Sequence, residues 1–162
     1  MSDNPLSQYF RQPAIYIQLP SSGKFYAPDS LEITPNGEYP VLPMTTIDEI
    51  TYRTPDALYN GSATINVIQS CVPNIKNAWE IPLTDLDAVL IAIRQATYGN
   101  RMDFTTVCPH CGHKNESALD LGFLYNQITC PDYNQTVKID KLEFYLKPQN
   151  YHTMNQASYE AF

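Results

Sequence analysis

One segment limits what the rest of the chain can become: LTDLDAVLIAIRQATYGN, residues 83–100. Leu86, Val89, Leu90 and Ile93 recur on one face of a 3.6-residue repeat. Ile91 and Ala92 carry the apolar character nearly all round. A helix with so little polar surface must be covered on most sides, which predicts the buried centre of the fold. Thr84 reads as its N-cap, and Asp85 and Asp87 sit in the positive first turn. Gly99 fits the position just past its end.

The segments around this helix are short. Thirteen prolines in 162 residues stop ladders and fix turns at close intervals. Residues 1–13 read as an arm with only Leu6, Tyr9 and Phe10 to anchor it. AIYIQL (14–19) is strand-like, PSSGKFY (20–26) is a turn in which Gly23 is free to take positive φ, and GEYPVLPM (37–44) is a second short strand. Pro40 makes that strand an edge strand or a broken one. In TTIDEITYRTPDALYNG (45–61), Thr46 and Glu49 form a capping-box pattern. Pro55 breaks the helix, Thr54 is placed to cap a restart, and Gly61 to end it. SATINVIQSCV (62–72) places Ile65, Ile68 and Cys71 or Val72 on one helical face, with Ser62 as cap and Cys71 as a small buried hydrophobe.

Beyond the central helix, MDFTTV (102–107), ESALDL (116–121), QTVKI (135–139) and KLEFYLK (141–147) read as strands. QNYHTMNQASYEAF opens on Asn150 as a cap and continues as a helix that stops without a terminating signal, the pattern of a chain that continues. YPVLPMTTIDEI (39–50) and FYLKPQNYHTMN (144–155) share one form: short strand, Leu, Pro, polar cap, helix. The expected fold class is α+β: a small helical core with short N-terminal strands and a zinc-ribbon-like β appendage. Its expected parts are an arm (1–13), an α-rich core with an N-terminal β-hairpin (14–101), a knuckle-bearing β subdomain (102–147) and the start of a C-terminal helix (148–162).

The appendage carries VCPHCGHKN, in which Cys108 and Cys111 form a full C-P-x-C-G turn. Proline and glycine bend such a turn so that both thiolates face one ion, while peptide N–H groups reach the sulfurs. Cys130 opens a second half-knuckle at ribbon spacing, but Tyr133 stands where its partner cysteine belongs, and a phenol is a poor zinc ligand. His113, beyond Gly112, can curl back into the fourth position; His110 lies inside the turn and points away more readily. Two readings stand side by side. One is a zinc site of Cys108, Cys111, Cys130 and His113; the other is a degenerate ribbon in which hairpin packing replaces the metal.

Seventeen acidic against ten basic residues, with no basic cluster beyond two, argue against a nucleic-acid surface. No apolar run is long enough to span a bilayer, and MSDNPLSQYFRQP lacks the pattern of a secretory signal. A reducing compartment follows as the expectation, with cysteines free or metal-bound. Catalysis is not expected either. No G-x-S-x-G, Walker loop, G-x-G-x-x-G or H-E-x-x-H occurs, and two of the three histidines lie in the knuckle. Asp48 and Glu49, like Asp85 and Asp87, read as helix-start carboxylates, and His152 reads as a surface residue.

LPSSGKFY (19–26), VLPMTTIDEI (41–50), LDAVLIAIRQATYG (86–99) and FTTVCPHCGHKN (104–115), in that order, resemble the baseplate hub protein family of T4-type contractile-tailed bacteriophages. The resemblance runs over about residues 14–155 and departs at Tyr133. It implies assembly rather than catalysis: a structural subunit of the tail baseplate hub, assembled in the host cytoplasm. The implied partners are other hub proteins and the tape-measure protein, in a homo- or hetero-oligomer without nucleic acid or membrane. Two alternatives stand beside it, a non-virion chaperone for the tape-measure protein and a zinc-ribbon adaptor. Twelve tyrosines and the proline-fixed turns suit large interfaces made at low entropic cost.

Overall fold

The computed structural model describes residues 11–55 and 60–161. Leu6, Tyr9 and Phe10, and the body of the helix expected after Thr54, lie outside the described residues. Within them the chain is a mixed α/β fold with five α-helices, one 3₁₀ turn and three separate two-stranded antiparallel sheets. The elements in chain order are β1 (Ile15–Gln18), β2 (Glu38–Val41), α1 (Thr46–Tyr52), α2 (Ser62–Cys71), a 3₁₀ turn (Ala78–Glu80), α3 (Leu83–Tyr98), β3 (Arg101–Val107), β4 (Lys114–Asp120), α4 (Leu121–Gln127), β5 (Thr136–Ile139), β6 (Leu142–Tyr145) and α5 (Tyr151–Glu160).

The long apolar segment forms α3, and it is the centre. Leu86, Ala88, Val89, Ala92 and Ile93 are buried in it, while Leu90 and Ile91 are half-buried. Leu86, Val89, Ala92 and Ile93 meet Ile65, Ile68 and Cys71 of α2, Ile17 of β1, and Tyr39 and Val41 of β2 in one cluster that Tyr151 of α5 closes and Leu90 packs against. Pro40 pairs with Tyr16 across β1–β2. In a sheet of two strands each has a free edge, so a residue without an N–H is accommodated.

The caps differ from the expected ones by a residue. Thr45, not Thr46, caps α1: its Oγ1 accepts from Asp48 N–H at 3.3 Å, while the Asp48 carboxylate accepts from Thr45 N–H at 2.7 Å. Gly61, not Ser62, is the N-cap of α2, at φ 76° and without a side-chain bond. It starts this helix. Helix α3 starts from Pro82, whose carbonyl accepts from Asp85 and Leu86; Thr84 lies inside the first turn and its hydroxyl is buried without a partner. Gly99 ends α3 as expected, at φ 85°.

Asp85 is not a solvated helix-start acid. It is fully buried and accepts from Ser21 N–H at 2.8 Å and from Ser21 Oγ. The LPSSGKFY turn is thereby tied to the first turn of the central helix. Gly23 turns this corner at φ 76°, where an added Cβ would lie 3.2 Å from Tyr39 Oη and 3.3 Å from a Leu31 methyl. Burial raises the Asp85 pKa above the usual carboxylate range even though both Ser21 bonds oppose the shift.

Asp48 is also buried, with the opposite outcome. Burial alone would push its carboxyl up, but bonds from Thr45 and Ser70 and the Arg11 charge hold it below the usual range. Arg11 reaches Asp48 at 3.4 Å, and donates to the Pro43 carbonyl at 2.6 Å and to Cys71 Sγ at 3.1 Å. Cys71 is buried as expected and also serves as an acceptor; burial pushes its thiol up to about 11.

The region expected to form one ribbon is divided. β3 pairs only with β4 and β5 only with β6, and helix α4, absent from the sequence reading, lies between them. Asp120 caps α4 by accepting from Phe123 N–H at 2.9 Å. Leu121 is buried, and Tyr125 Oη donates to the Gln18 carbonyl, so α4 joins the appendage to β1 and α3. The last helix has the expected cap: Asn150 Oδ1 accepts from Thr153 N–H at 2.9 Å.

Candidate functional sites: the cysteine turn and the exposed apolar faces

Strand β3 delivers Cys108 and β4 leads away from Lys114, so the C-P-H-C-G-H turn is the tip of the longer hairpin. Cys108 N–H donates to His113 O, and Gly112 N–H to Cys108 O, each at 2.9 Å, with Gly112 at φ 69°. The peptide N–H groups of Cys111 and His110, with the Cys111 thiol, hydrogen-bond the Cys108 sulfur and set its pKa below the usual thiol range. The knuckle geometry that the motif implies is therefore present for this pair.

Cys130 is elsewhere. It shares a cleft with Leu19, Pro20 and Ser22 of the N-terminal turn and with Tyr125 of α4. Tyr133, in the position of the missing cysteine, sets its ring against Phe25 edge-on, with centroids 5.2 Å apart. The second half-knuckle is thus a clasp on the LPSSGKFY turn. His110 and His113 are exposed. All four cysteines are free, and no group of three or more His, Cys, Asp or Glu among the described residues is placed to hold a metal ion. A structural zinc takes four ligands. Cys108 and Cys111 stand together at the hairpin tip, and Cys130 lies in the cleft beside the N-terminal turn.

The larger features are apolar surfaces. In β5–β6 the pairs Val137–Phe144 and Ile139–Leu142 put four apolar side chains on one face, all exposed. The opposite face closes on itself: Thr136 Oγ1 donates to Glu143 at 2.8 Å and Lys138 lies 3.7 Å from the same carboxylate. On α1, Ile47 and Ile50 also face solvent. A groove of about 470 Å³ runs between α1, α3 and α4, with Met44, Leu90, Leu119 and Leu124 among its apolar lining and Arg53 and Arg94 as its charged groups. The sequence reading missed both surfaces. The strands were read correctly in position, but whether the face of a hairpin is covered is a tertiary fact.

A more polar groove of about 630 Å³ lies between the 3₁₀ turn and α5. Trp79 stacks on Tyr151 at 5.6 Å and meets His152 edge-on at 5.8 Å. Tyr159, Glu80 and Glu160 complete its aromatic and acidic lining. Among the described residues no helix is long and apolar enough to cross a membrane.

A family model described as T4 bacteriophage base plate protein matches residues 27–161. Searches of curated proteins and of solved structures found no match to the chain.

Proposed function

The chain belongs to the T4 bacteriophage base plate protein family, and from that premise we propose that it is a structural subunit of the baseplate hub. In this reading it acts by binding other hub subunits and the tape-measure protein, and turns over no substrate. The observation that carries the reading is the family match, which spans the α3 core, the cysteine hairpin and the last helix. The surfaces support it. The β5–β6 face and the groove along α3 leave apolar area in water, and exposed apolar patches of this kind mark sites of association. The clasp of Tyr133 on Phe25 and the Ser21–Asp85 bonds tie the appendage and the N-terminal turn to the core, giving such contacts a rigid base.

Quantitative mass spectrometry of purified particles of the phage that carries this chain tests the proposal. The chain is expected in fixed stoichiometry with the other baseplate subunits. Presence in assembling lysates but absence from finished particles would replace the subunit by a tail-assembly chaperone for the tape-measure protein.

A further inference from the structure

The tip of the β3–β4 hairpin holds two thiols that take no part in the core or in the clasp of Tyr133. The strand register runs from Arg101 opposite Asp120 to Val107 opposite Lys114, so both ends of the turn are fixed. Inside it, Gly112 N–H donates to Cys108 O, a bond from residue i+4 to residue i that closes one turn of α-type backbone. Cα atoms three residues apart in such a turn lie about 5 Å apart. That is inside the range of about 4.4–6.8 Å that a disulfide spans. The side chains converge as well: the Cys111 thiol hydrogen-bonds the Cys108 sulfur, which the peptide N–H groups of His110 and Cys111 also reach.

Access and partner choice follow from the same placement. Cys111 is exposed, as are Pro109, His110, Gly112 and His113 around it, while Cys108 is half-buried. A small reagent can therefore reach the pair without the core opening. Cys71 is fully buried among the core residues, and Cys130 lies in the cleft beside the N-terminal turn. Of the three other cysteines, only Cys111 stands within bonding reach of Cys108. Helix α4 packs at the other end of the hairpin, where Asp120 caps it and Leu121 is buried, so a new bond at the tip leaves that junction as it is.

We propose that Cys108 and Cys111 form a redox-active dithiol, which a small disulfide of the glutathione class closes to an intramolecular disulfide and a thiol of the same class reopens. The Cys108 thiolate attacks one sulfur of the small disulfide, forms a mixed disulfide and releases one thiolate. The Cys111 thiolate then attacks the Cys108 sulfur, breaks the mixed bond and releases the second. Two protein thiols give up two electrons and two protons, and one small disulfide becomes two thiols. The order follows from the peptide N–H groups, which favour negative charge on the Cys108 sulfur and leave the exposed Cys111 to resolve the adduct. Closure ties the end of β3 to the start of β4 across the turn. In a baseplate subunit the tip is open in the reducing medium of assembly and closed in an oxidising one outside the cell. That consequence rests on the baseplate reading; the chemistry of the turn does not.

Thiol mapping tests it. The reduced full chain is incubated in mixtures of oxidised and reduced glutathione, quenched in acid, unfolded, alkylated and mapped by mass spectrometry. Cys108 and Cys111 are expected in one cross-linked peptide, with Cys71 and Cys130 alkylated and the bond reversed by a dithiol reductant. Closure is expected about tenfold faster in the folded chain than in urea, where nothing holds the pair together. Cys111→Ser should stop at a glutathione adduct on Cys108, and Cys130→Ser should close as the wild type does. Four alkylated thiols at every ratio, equal rates in folded and unfolded chain, or a disulfide that includes Cys130 would overturn the proposal. So would thiols that oxidise only once a chelator is added, which would give the pair to a metal ion instead. None of these results would touch the baseplate assignment, which depends on particle composition.

Discussion

Asp85→Ala is the perturbation that best probes how this fold is held. The side chain is fully buried, and its two acceptor bonds from Ser21 are the polar link between the LPSSGKFY turn and α3. Hydrogen bonds to a charged acceptor contribute about 1.5–3 kcal/mol each, so losing two removes about 3–6 kcal/mol. Removing a carboxylate that is costly to bury returns part of that, leaving an expected loss of about 3–4 kcal/mol. Ser21 is itself buried, so water does not take over its donors. Asp87, two residues on, is exposed, and Asp87→Ala is expected to stay within about 0.5 kcal/mol.

Asp85→Asn separates charge from geometry. The amide oxygen still accepts from Ser21 N–H and its NH₂ can donate to Ser21 Oγ, so the expected cost is about 1–2 kcal/mol. The pH dependence carries the sign. Because the folded carboxyl titrates above its unfolded value, protonation favours the native state. The wild type then holds that contribution below the unfolded pKa of about 3.9 and loses it as pH rises through the raised folded value. Asparagine has no such term, so its penalty relative to wild type is expected to shrink as pH rises. Urea denaturation at a series of pH values, with m-values compared to detect any change in the unfolded state, measures both effects. An Asp85→Ala loss no larger than that of Asp87→Ala, or an asparagine penalty that grows with pH, would refute the reasoning.

Four further outcomes are expected. Thr45→Ala should cost about 1 kcal/mol through the lost capping box, whereas Thr46→Ala should cost little and Thr84→Val should be neutral or stabilising, since the Thr84 hydroxyl is buried without a partner; denaturant midpoints for the three variants decide it. Gly23→Ala should lower stability by more than about 1 kcal/mol, because the added methyl meets Tyr39 and Leu31 at a positive φ, and thermal unfolding reads the loss. In native protein, mass-resolved alkylation should label Cys108 at a pH below that of an ordinary thiol, while Cys71, buried and raised to about 11, should stay unlabelled until the chain unfolds. Elemental analysis of protein purified without chelator should find well below about one equivalent of zinc; one tightly held ion would overturn the placement of Cys130 against the N-terminal turn.

What could be read from the chain, and what could not, follows the range of the forces involved. Helix α3 was legible because its signal is local and repeated: several apolar residues in phase over four turns outweigh any single misleading position. Its cap was not, because Thr84 and Pro82 both satisfy short-range rules and only the carbonyl bonds of the folded backbone choose between them. Thr45 and Thr46 posed the same near-degenerate choice, settled by Asp48 turning inward to Arg11 and Ser70. Helix α4 was hidden for a different reason. ESALDL alternates like a strand as far as Leu121, but Leu121 and Tyr125 are claimed by the core and by β1, and Asp120, read as part of the strand, is free to cap.

The cysteines divide along the same line. Cys108 and Cys111 are three residues apart, so their turn forms from its own proline and glycine. Cys130 depends on where a separate segment docks, and there Phe25, at φ 71°, offers Tyr133 an aromatic edge. A cysteine in place of Tyr133 would give up that ring contact, worth about 0.5–1.5 kcal/mol beyond the area it buries. It would gain a metal ligand only if the whole segment left the N-terminal turn. Tyrosine and an undocked zinc ribbon are therefore competing uses of one position, and the residue present is the one that favours the clasp.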